Sequence, residues 1–334
     1  PRRNHHVLAM SPEPRLSLVE TVDPGPQMPR LVGIGLLAAA LFSITFVLNR
    51  AMSLGGGHWV WSASLRYVDM AFLLSAWLLV RRGPRYLAAV LHLFWARLGF
   101  WLLAGGIGFG IFYACCFATD HAQGWIVAAT WQLTILATPF VLRAFGARVP
   151  MRGLIFLGFI FLGVLTLNIQ RASTGSSVAQ ILLGVVPVMV AAVAYPVGNQ
   201  LLNRAKHAGD EASVLLSDPI AAVLLLTLGA LPVFVLLILL FNPPQPGVAQ
   251  VGATALIALV AECLATTLFL YARNLSRDPL HIAAVDATQA AEVAFALFGE
   301  MLILGAAPPD LLGWVGLVAV IGGLIGFTFQ STEG

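Results

Sequence analysis

The chain is 334 residues long, 59% hydrophobic and 10% charged, with a mean hydropathy of +0.89. That balance excludes an ordinary soluble domain, in which roughly a quarter of residues are charged. A net charge of +3 gives no argument for a nucleic-acid partner, and three cysteines supply neither a disulfide ladder nor a zinc spacing.

Residues 1–30 are polar and Pro-rich and lack the apolar core of a signal sequence, so they read as a disordered cytoplasmic tail. Met10 offers an internal start, and His5 and His6 stand in that tail without a ligand set. Ten apolar runs follow, at about 31–53, 59–80, 98–118, 124–143, 151–169, 178–202, 213–241, 248–271, 279–304 and 311–329. Each is long enough to cross ~30 Å of hydrocarbon as a helix, the form in which such a run satisfies its own backbone.

The first run closes on Asn49-Arg50. The second carries Arg66 and Asp69 in "SLRYVDMAF", with Asp69 about 18 Å from Arg81 and Arg66 one turn away on the same face. The third holds "GGIGFG", where Gly106 and Gly110 form a close-packing face, because no strand precedes it and no Lys follows. The fourth brings Trp131 and Gln132 to depth, while Trp59, Trp61 and Trp125 fall where an outer aromatic belt is expected.

Asp218 before Pro219 reads as a helix cap. Glu262 stands at mid-depth in the eighth run; Asp286, Gln289 and Glu292 make a three-spaced polar stripe on the ninth. On the same run Asp286 reads as hydrated at the inner mouth and Glu300 as solvated at the outer end. Gly322 and Gly326 give the tenth run a packing face, and Pro139, Pro187, Pro196, Pro219 and Pro232 interrupt spans as kinks. Cys115, Cys116 and Cys263 lie inside runs as small packing residues.

Fifteen of the 18 basic residues fall in the segments that share a side with the N-terminus; Arg50 and Arg171 are opposite, and Arg66 is within a span. The positive-inside rule then puts both termini in the cytoplasm. Only one basic residue, Lys206, is not Arg, a bias of GC-rich bacterial genomes, which suggests a multi-pass protein of a bacterial inner membrane.

The chain also repeats. "VLNRAM" at 47–52 returns as "LLNRAK" at 201–206, Gln132 of "WIVAATWQL" aligns with Gln289 of "HIAAVDATQ", and Pro150 and Gly158 align with Pro308 and Gly316. The fold class expected is therefore an all-α polytopic membrane protein of ten transmembrane helices in two five-helix repeats, 31–170 and 178–330. An odd number of spans per repeat inverts the second, as in secondary transporters with a midplane site.

"LFSITFVLNRAMSLGGGHWVWSASLRY" and "GWIVAATWQLTIL" resemble the multidrug resistance efflux branch of the drug/metabolite transporter superfamily, the EamA-like ten-helix architecture. The resemblance implies export of small molecules by alternating access, driven by a proton or substrate gradient. One departure stands out: the four-helix small multidrug resistance relatives carry an acid in their first span, and 31–53 contains none.

A coupling acid must therefore lie elsewhere. Intramembrane charges face a bundle interior or a wet cavity, which makes Arg66, Asp69, Glu262, Asp286 and Glu292 candidates for substrate binding or proton coupling, with Gln132 and Gln289 beside them. Arg66 and Asp69 read equally as a structural ion pair or a functional one. Glu262 and Glu292 have no basic residue nearby on their own spans, and low dielectric favours the neutral carboxyl, so such an acid can exchange protons. Trp131 lies deep beside Gln132, and a deep Trp together with a carboxylate suits an amphipathic or cationic substrate by cation–π attraction, although packing is the commoner use of a buried Trp. No cofactor, nucleotide, zinc or nucleophile motif occurs, which disfavours an enzyme. An amino-acid or metabolite exporter of the same fold, a membrane-embedded sensor or enzyme, and assembly as a homodimer stay open.

Overall fold

The computed structural model describes residues 28–146, 154–173, 175–209, 211–276 and 279–330, all helix and connecting turns. The tail before Met28, Pro150, Arg148, Arg152 and Arg277 lie outside the described residues, as do the side chains of Cys115 and Cys116.

Among the described residues fifteen α-helices succeed one another. The long ones are α1 (Met28–Leu54), α2 (Trp59–Arg82), α7 (Leu154–Ser173), α8 (Val178–Lys206), α10 (Pro219–Phe241) and α15 (Leu311–Gln330). Between α2 and α7 come α3 (Pro84–Ala96), α4 (Leu98–Gly105), α5 (Gly124–Trp131) and α6 (Leu133–Ala144). Helix α9 (Glu211–Leu216) is a single short piece, followed after α10 by α11 (Val248–Ile257), α12 (Thr266–Asn274), α13 (Pro279–Ala287) and α14 (Ala291–Ile303).

Among the described residues eight helices, taken with α5–α6 and α11–α12 as continuous rods, are long and apolar enough to cross a membrane, or nine if the bent pair α3–α4 counts as one. Ten plain spans were expected, and the shortfall has identifiable causes. The third run leaves α4 through a π-helical turn at Gly106–Ile111 and ends as 3₁₀ helix at Ala114–Asp120. The ninth is broken between α13 and α14 by the 3₁₀ turn Thr288–Ala290, so neither piece spans alone. Helix α3 was not anticipated: the segment 84–96 falls between the second and third apolar runs. Gly83, at φ +87°, ends α2, Pro84 supplies a preset first turn, and α3 then runs at 89° to the following helix.

Helix α1 lies centrally, against α14, α13, α5, α12 and the π turn Ala258–Ala265. Helix α8 lies in the same way against α5, α6 and the π and 3₁₀ segments of the third run. Long antiparallel faces join α7 to α15 and α2 to α10, while α10 also packs on α4 and α2 on α11. One apolar core centres on Trp101, Leu224, Leu225 and Phe234, a second on Trp125, Leu157, Ile160 and Val320. Outward faces stay apolar, with Leu162, Leu239 and Val318 more than half exposed, as hydrocarbon solvent permits.

Glycine sets the closest approaches. Gly108 meets Gly198 of α8 backbone to backbone, Gly105 meets Gly229 of α10, and Gly106 and Gly110 both face Val233, the packing role expected of this run. On α15 the expectation holds for Gly326, which sits on Phe156, but Gly322 faces open space and Gly323 makes the contact to Ile160 instead. Asp218 caps α10 as expected, accepting from Ile220 N at 3.0 Å with Pro219 in the first turn. It also accepts from Tyr86 Oη on α3 and pairs with Arg82, both at 3.3 Å, which fastens the unexpected helix to the bundle.

Candidate functional site

The buried charge of α2 finds its partner across the bundle. Arg66, 5% exposed, pairs through Nη2 with Glu262 Oε1 in the π turn, and its guanidinium lies 4.1 Å from the centre of the Tyr113 ring. Asn49 on α1 donates from Nδ2 to Tyr113 Oη at 3.2 Å, so one tyrosine joins the ends of α1 and α2. Tyr113 is itself packed edge-on against Tyr67 and Phe112. Asp69, the acid nearest to Arg66 in sequence, is not the ion-pair partner found. It lies against Thr254 of α11, and its Oδ2 is buried without a hydrogen-bond partner. A three-residue spacing brings Arg66 and Asp69 onto one face, but Glu262 approaches from the facing helix and captures the longer, more reaching side chain.

Three further polar side chains lie within the fourth and ninth runs: Gln132, Gln289 and Glu292. Gly35 of α1 packs on Thr288, and Val47 on Gly299, so α1 and α14 run side by side in register. Gly124 starts α5 against the Phe46 carbonyl, and Gln132 follows the eight-residue α5, about 12 Å along it.

Gln132 occupies the junction of α5 and α6, and Gln289 the 3₁₀ turn between α13 and α14. Each carries a buried Nε2 with no acceptor. Glu292 is 9% exposed, with Glu262 as its electrostatic neighbour, and no ion-pair or hydrogen-bond partner falls to it among the described residues. Trp131, next to Gln132, packs against Phe112 and Tyr195 at 5.0 and 5.6 Å between ring centres, and Phe112 and Tyr195 meet at 5.1 Å.

Asp286 stands apart from this group. It pairs with Arg273 Nε of α12 at 3.1 Å, an ion pair rather than the hydrated lone acid expected. Glu300, expected to be solvated, is 1% exposed and accepts from Gly124 N at 2.6 Å and Trp125 N at 3.3 Å, capping α5 from α14. Beside it, Arg50 donates to the Thr119 carbonyl at 2.6 Å and Arg171 to the His121 carbonyl at 2.7 Å, so the segment entering α5 is gripped from three helices. Trp59 and Trp125 are buried rather than part of an interfacial belt; Trp61 is half-buried and donates to the Pro244 carbonyl. Tyr113, Asn49 and Glu300 were not singled out from sequence as site-forming, and only the rarity of Asn and Glu within apolar runs could have signalled two of them.

Residues 29–333 match the family described as "EmrE: Putative multidrug resistance efflux transporter". The chain is similar to "Uncharacterized protein YjlA" of Bacillus subtilis (strain 168), 34% identical over 319 residues that cover 90% of this chain and 95% of the relative. It is also similar to an "Uncharacterized 42.1 kDa protein in intracellular alkaline protease 3'region" of Shouchella clausii, 35% identical over 284 residues that cover 78% of this chain and 69% of that one. A solved crystal structure shares the fold at a TM-score of 0.58 and 17% identity, over 90% of this chain and 98% of its own.

Proposed function

We infer from membership of the EmrE-type multidrug resistance efflux transporter family, to which this chain belongs, that it is a secondary exporter of small amphipathic or cationic molecules working by alternating access with protons as counter-ion. The observation that carries this reading is the charge of the interior site. Glu262 pairs with the Arg66 guanidinium, and Glu292, the electrostatic neighbour of Glu262, has no cationic partner among the described residues. With Arg66 held on Glu262, the carboxylates of Glu292 and Asp69 are left without a cationic partner, and Glu292 is the more buried of the two and the neighbour of Glu262.

A proton or a monocation neutralises the charge of Glu292 equally well. A carboxylate left ionised in low dielectric is expensive, so one of the two occupies the site at a time. Competition at a single site opened alternately to two sides is sufficient for exchange of one for the other. Other titratable groups on the helices packed around Glu262 and Glu292 are Arg50 on α1, Tyr67 and Asp69 on α2, and Arg273, which is engaged with Asp286.

The contact pattern supports two structurally equivalent halves. Exchanging α1 with α8, the third run with the eighth, and α5–α6 with α13–α14 carries several helix contacts onto others: α1 on α14 onto α8 on α6, α1 on α13 onto α8 on α5, and α10 on α4 onto α2 on α11. The irregularities exchange as well. The π turn at Gly106–Ile111 corresponds to that at Ala258–Ala265, and the break at Gln132 to that at Gln289. On this reading the third and ninth runs cross the membrane as broken helices, giving ten crossings in inverted halves, and the basic loops face a bacterial cytoplasm.

The test is flux in proteoliposomes, using a radiolabelled aromatic quaternary ammonium whose charge does not vary with pH. An acidic interior should drive its uptake against a concentration gradient, and a protonophore should abolish that uptake. Saturable binding without gradient-driven flux would favour a sensor, and a chemically altered product would favour an enzyme; either would overturn the proposal.

A further inference from the structure

We propose that the corner between α2 and α3 holds the phosphate of an anionic phospholipid, with α3 lying along the bilayer surface as an interfacial helix. This surface is separate from the interior charges, and what it binds does not depend on what the chain exports. Helix α3 runs at 89° to the helix that follows it into the membrane. An axis perpendicular to a span lies near the bilayer plane, here over ~20 Å for thirteen residues. Val90, Leu93 and Phe94 are buried on the side of α3 that meets α2 and α10. Leu91 and Trp95, one turn apart, are exposed, Trp95 to 69%. Arg85 and His92, two turns apart on a neighbouring stripe, are exposed as well. A helix that is apolar toward the bundle and along one outer edge, and polar along the other, fits the boundary between acyl chains and headgroups.

Charge at the corner selects the lipid. Arg81, Arg82 and Arg85 flank the turn at Gly83, and all three are exposed. Arg82 pairs with Asp218 at 3.3 Å. Arg81 rests on the Trp77 ring at 5.0 Å, and no ion-pair or hydrogen-bond partner falls to Arg85 among the described residues. Three guanidiniums against one carboxylate leave two positive charges. By contrast, Arg204 donates to the Phe145 carbonyl at 2.8 Å and Arg273 is held by Asp286. A zwitterionic headgroup brings no net charge to offset the corner, whereas an anionic one does, and phosphate oxygens match the guanidinium fork. On α2, Trp77, Val80 and Arg81 share one outward stripe, with Trp77 52% and Val80 81% exposed. An acyl chain along Trp77 and Val80 brings its phosphate to the level of Arg81. A free phosphate would meet the arginines but leave that apolar stripe uncovered, so the occupant is a lipid.

Trp77 reports on the corner. The full chain is reconstituted in phosphatidylcholine bilayers, and quenching of Trp77 by dibrominated phosphatidylglycerol is compared with quenching by dibrominated phosphatidylcholine. Trp77→Phe in each background isolates that signal. The expected wild-type preference for the anionic lipid is at least about fivefold, the effect of one basic residue at an anionic surface. In Arg81→Gln/Arg85→Gln it should shrink to within twofold of unity. Arg81→Lys/Arg85→Lys keeps the charge and should keep the preference, which separates lost attraction from altered folding. Arg143→Gln/Lys206→Gln removes the same charge from the ends of α6 and α8 and should leave the preference intact. A wild-type preference below twofold, one that survives in the Gln double variant, or one that is lost with Arg143 and Lys206 overturns the proposal. An excess of inorganic phosphate that abolishes the preference would assign the corner to the free anion and overturn the lipid as its occupant.

Discussion

Replacing Arg66 by Met strands Glu262 in the bundle, and the size of the effect can be worked from its contacts. The pair lies deep, with Arg66 at 6% side-chain exposure and Glu262 at 23%. Removing one partner of a buried pair destabilises by about 3–5 kcal/mol, since the other charge loses its counter-ion and not its burial. The guanidinium also leaves the Tyr113 face, for a further loss of about 1–2 kcal/mol in a desolvated setting. Glu262→Met should weigh similarly, through the orphaned Arg66. The double variant Arg66→Met/Glu262→Met removes both charges and fills their volume, and apolar replacements of this kind are often neutral. Arg66→Met should therefore lose about 4–7 kcal/mol, Glu262→Met about 3–5 kcal/mol and the double far less, a coupling of at least about 2 kcal/mol. Equilibrium unfolding by SDS titration in mixed micelles, followed by tryptophan fluorescence, measures all four corners of the cycle. Additivity within 0.5 kcal/mol would refute the claim that Arg66 and Glu262 hold each other in the interior.

Other outcomes follow from single contacts. Glu300→Ala orphans the Gly124 and Trp125 amides at the start of α5, and the same unfolding assay should read a loss of about 2–4 kcal/mol; a change under 0.5 kcal/mol would show that the cap is unnecessary. Gly108→Val should collapse the yield of monodisperse protein on gel filtration, because even a Cβ would meet Gly198 Cα at 2.8 Å. Gly99→Ala, with open space around it on α4, should raise stability by up to about 1 kcal/mol.

Legibility in the sequence followed the physics of each signal. Apolar runs specify membrane helices strongly because lipid punishes any unpaired backbone group, so seven of the long helices were visible within a few residues of their ends. Breaks were less visible. Nothing local marks Gln132 or Thr288–Ala290 as the end of a helix, since no Pro or Gly stands at either, and tertiary contacts to α1 decide the turn. Helix α3 escaped notice because Arg81, Arg82 and Arg85 announce a loop, whereas Pro84 and the apolar side Val90, Leu93 and Phe94 announce a helix packed at the membrane edge. Intramembrane charge marked the site residues one by one, but not their partners. Arg66 could be paired with Asp69 from helical spacing alone, while Glu262 is almost two hundred residues away and its approach depends on how α2 meets the π turn. Asp286 and Glu300 were misjudged for one reason: depth along a helix does not say which neighbouring helix supplies a counter-charge or an amide.

The central claim, that proton and cation compete for the carboxylate left over in the Arg66–Glu262–Glu292 group, is tested most directly by the pH dependence with which the aromatic quaternary ammonium binds. The ligand's charge is fixed, so any dependence belongs to the protein. Affinity should fall as pH falls, approaching tenfold per pH unit once a single proton must be displaced for each cation bound. Glu292→Gln should abolish both the slope and most of the affinity, while Glu262→Gln frees Arg66 and weakens binding at all pH values. A wild-type slope retained in full by Glu292→Gln and Glu262→Gln alike would contradict the account and move the coupling site to Asp69.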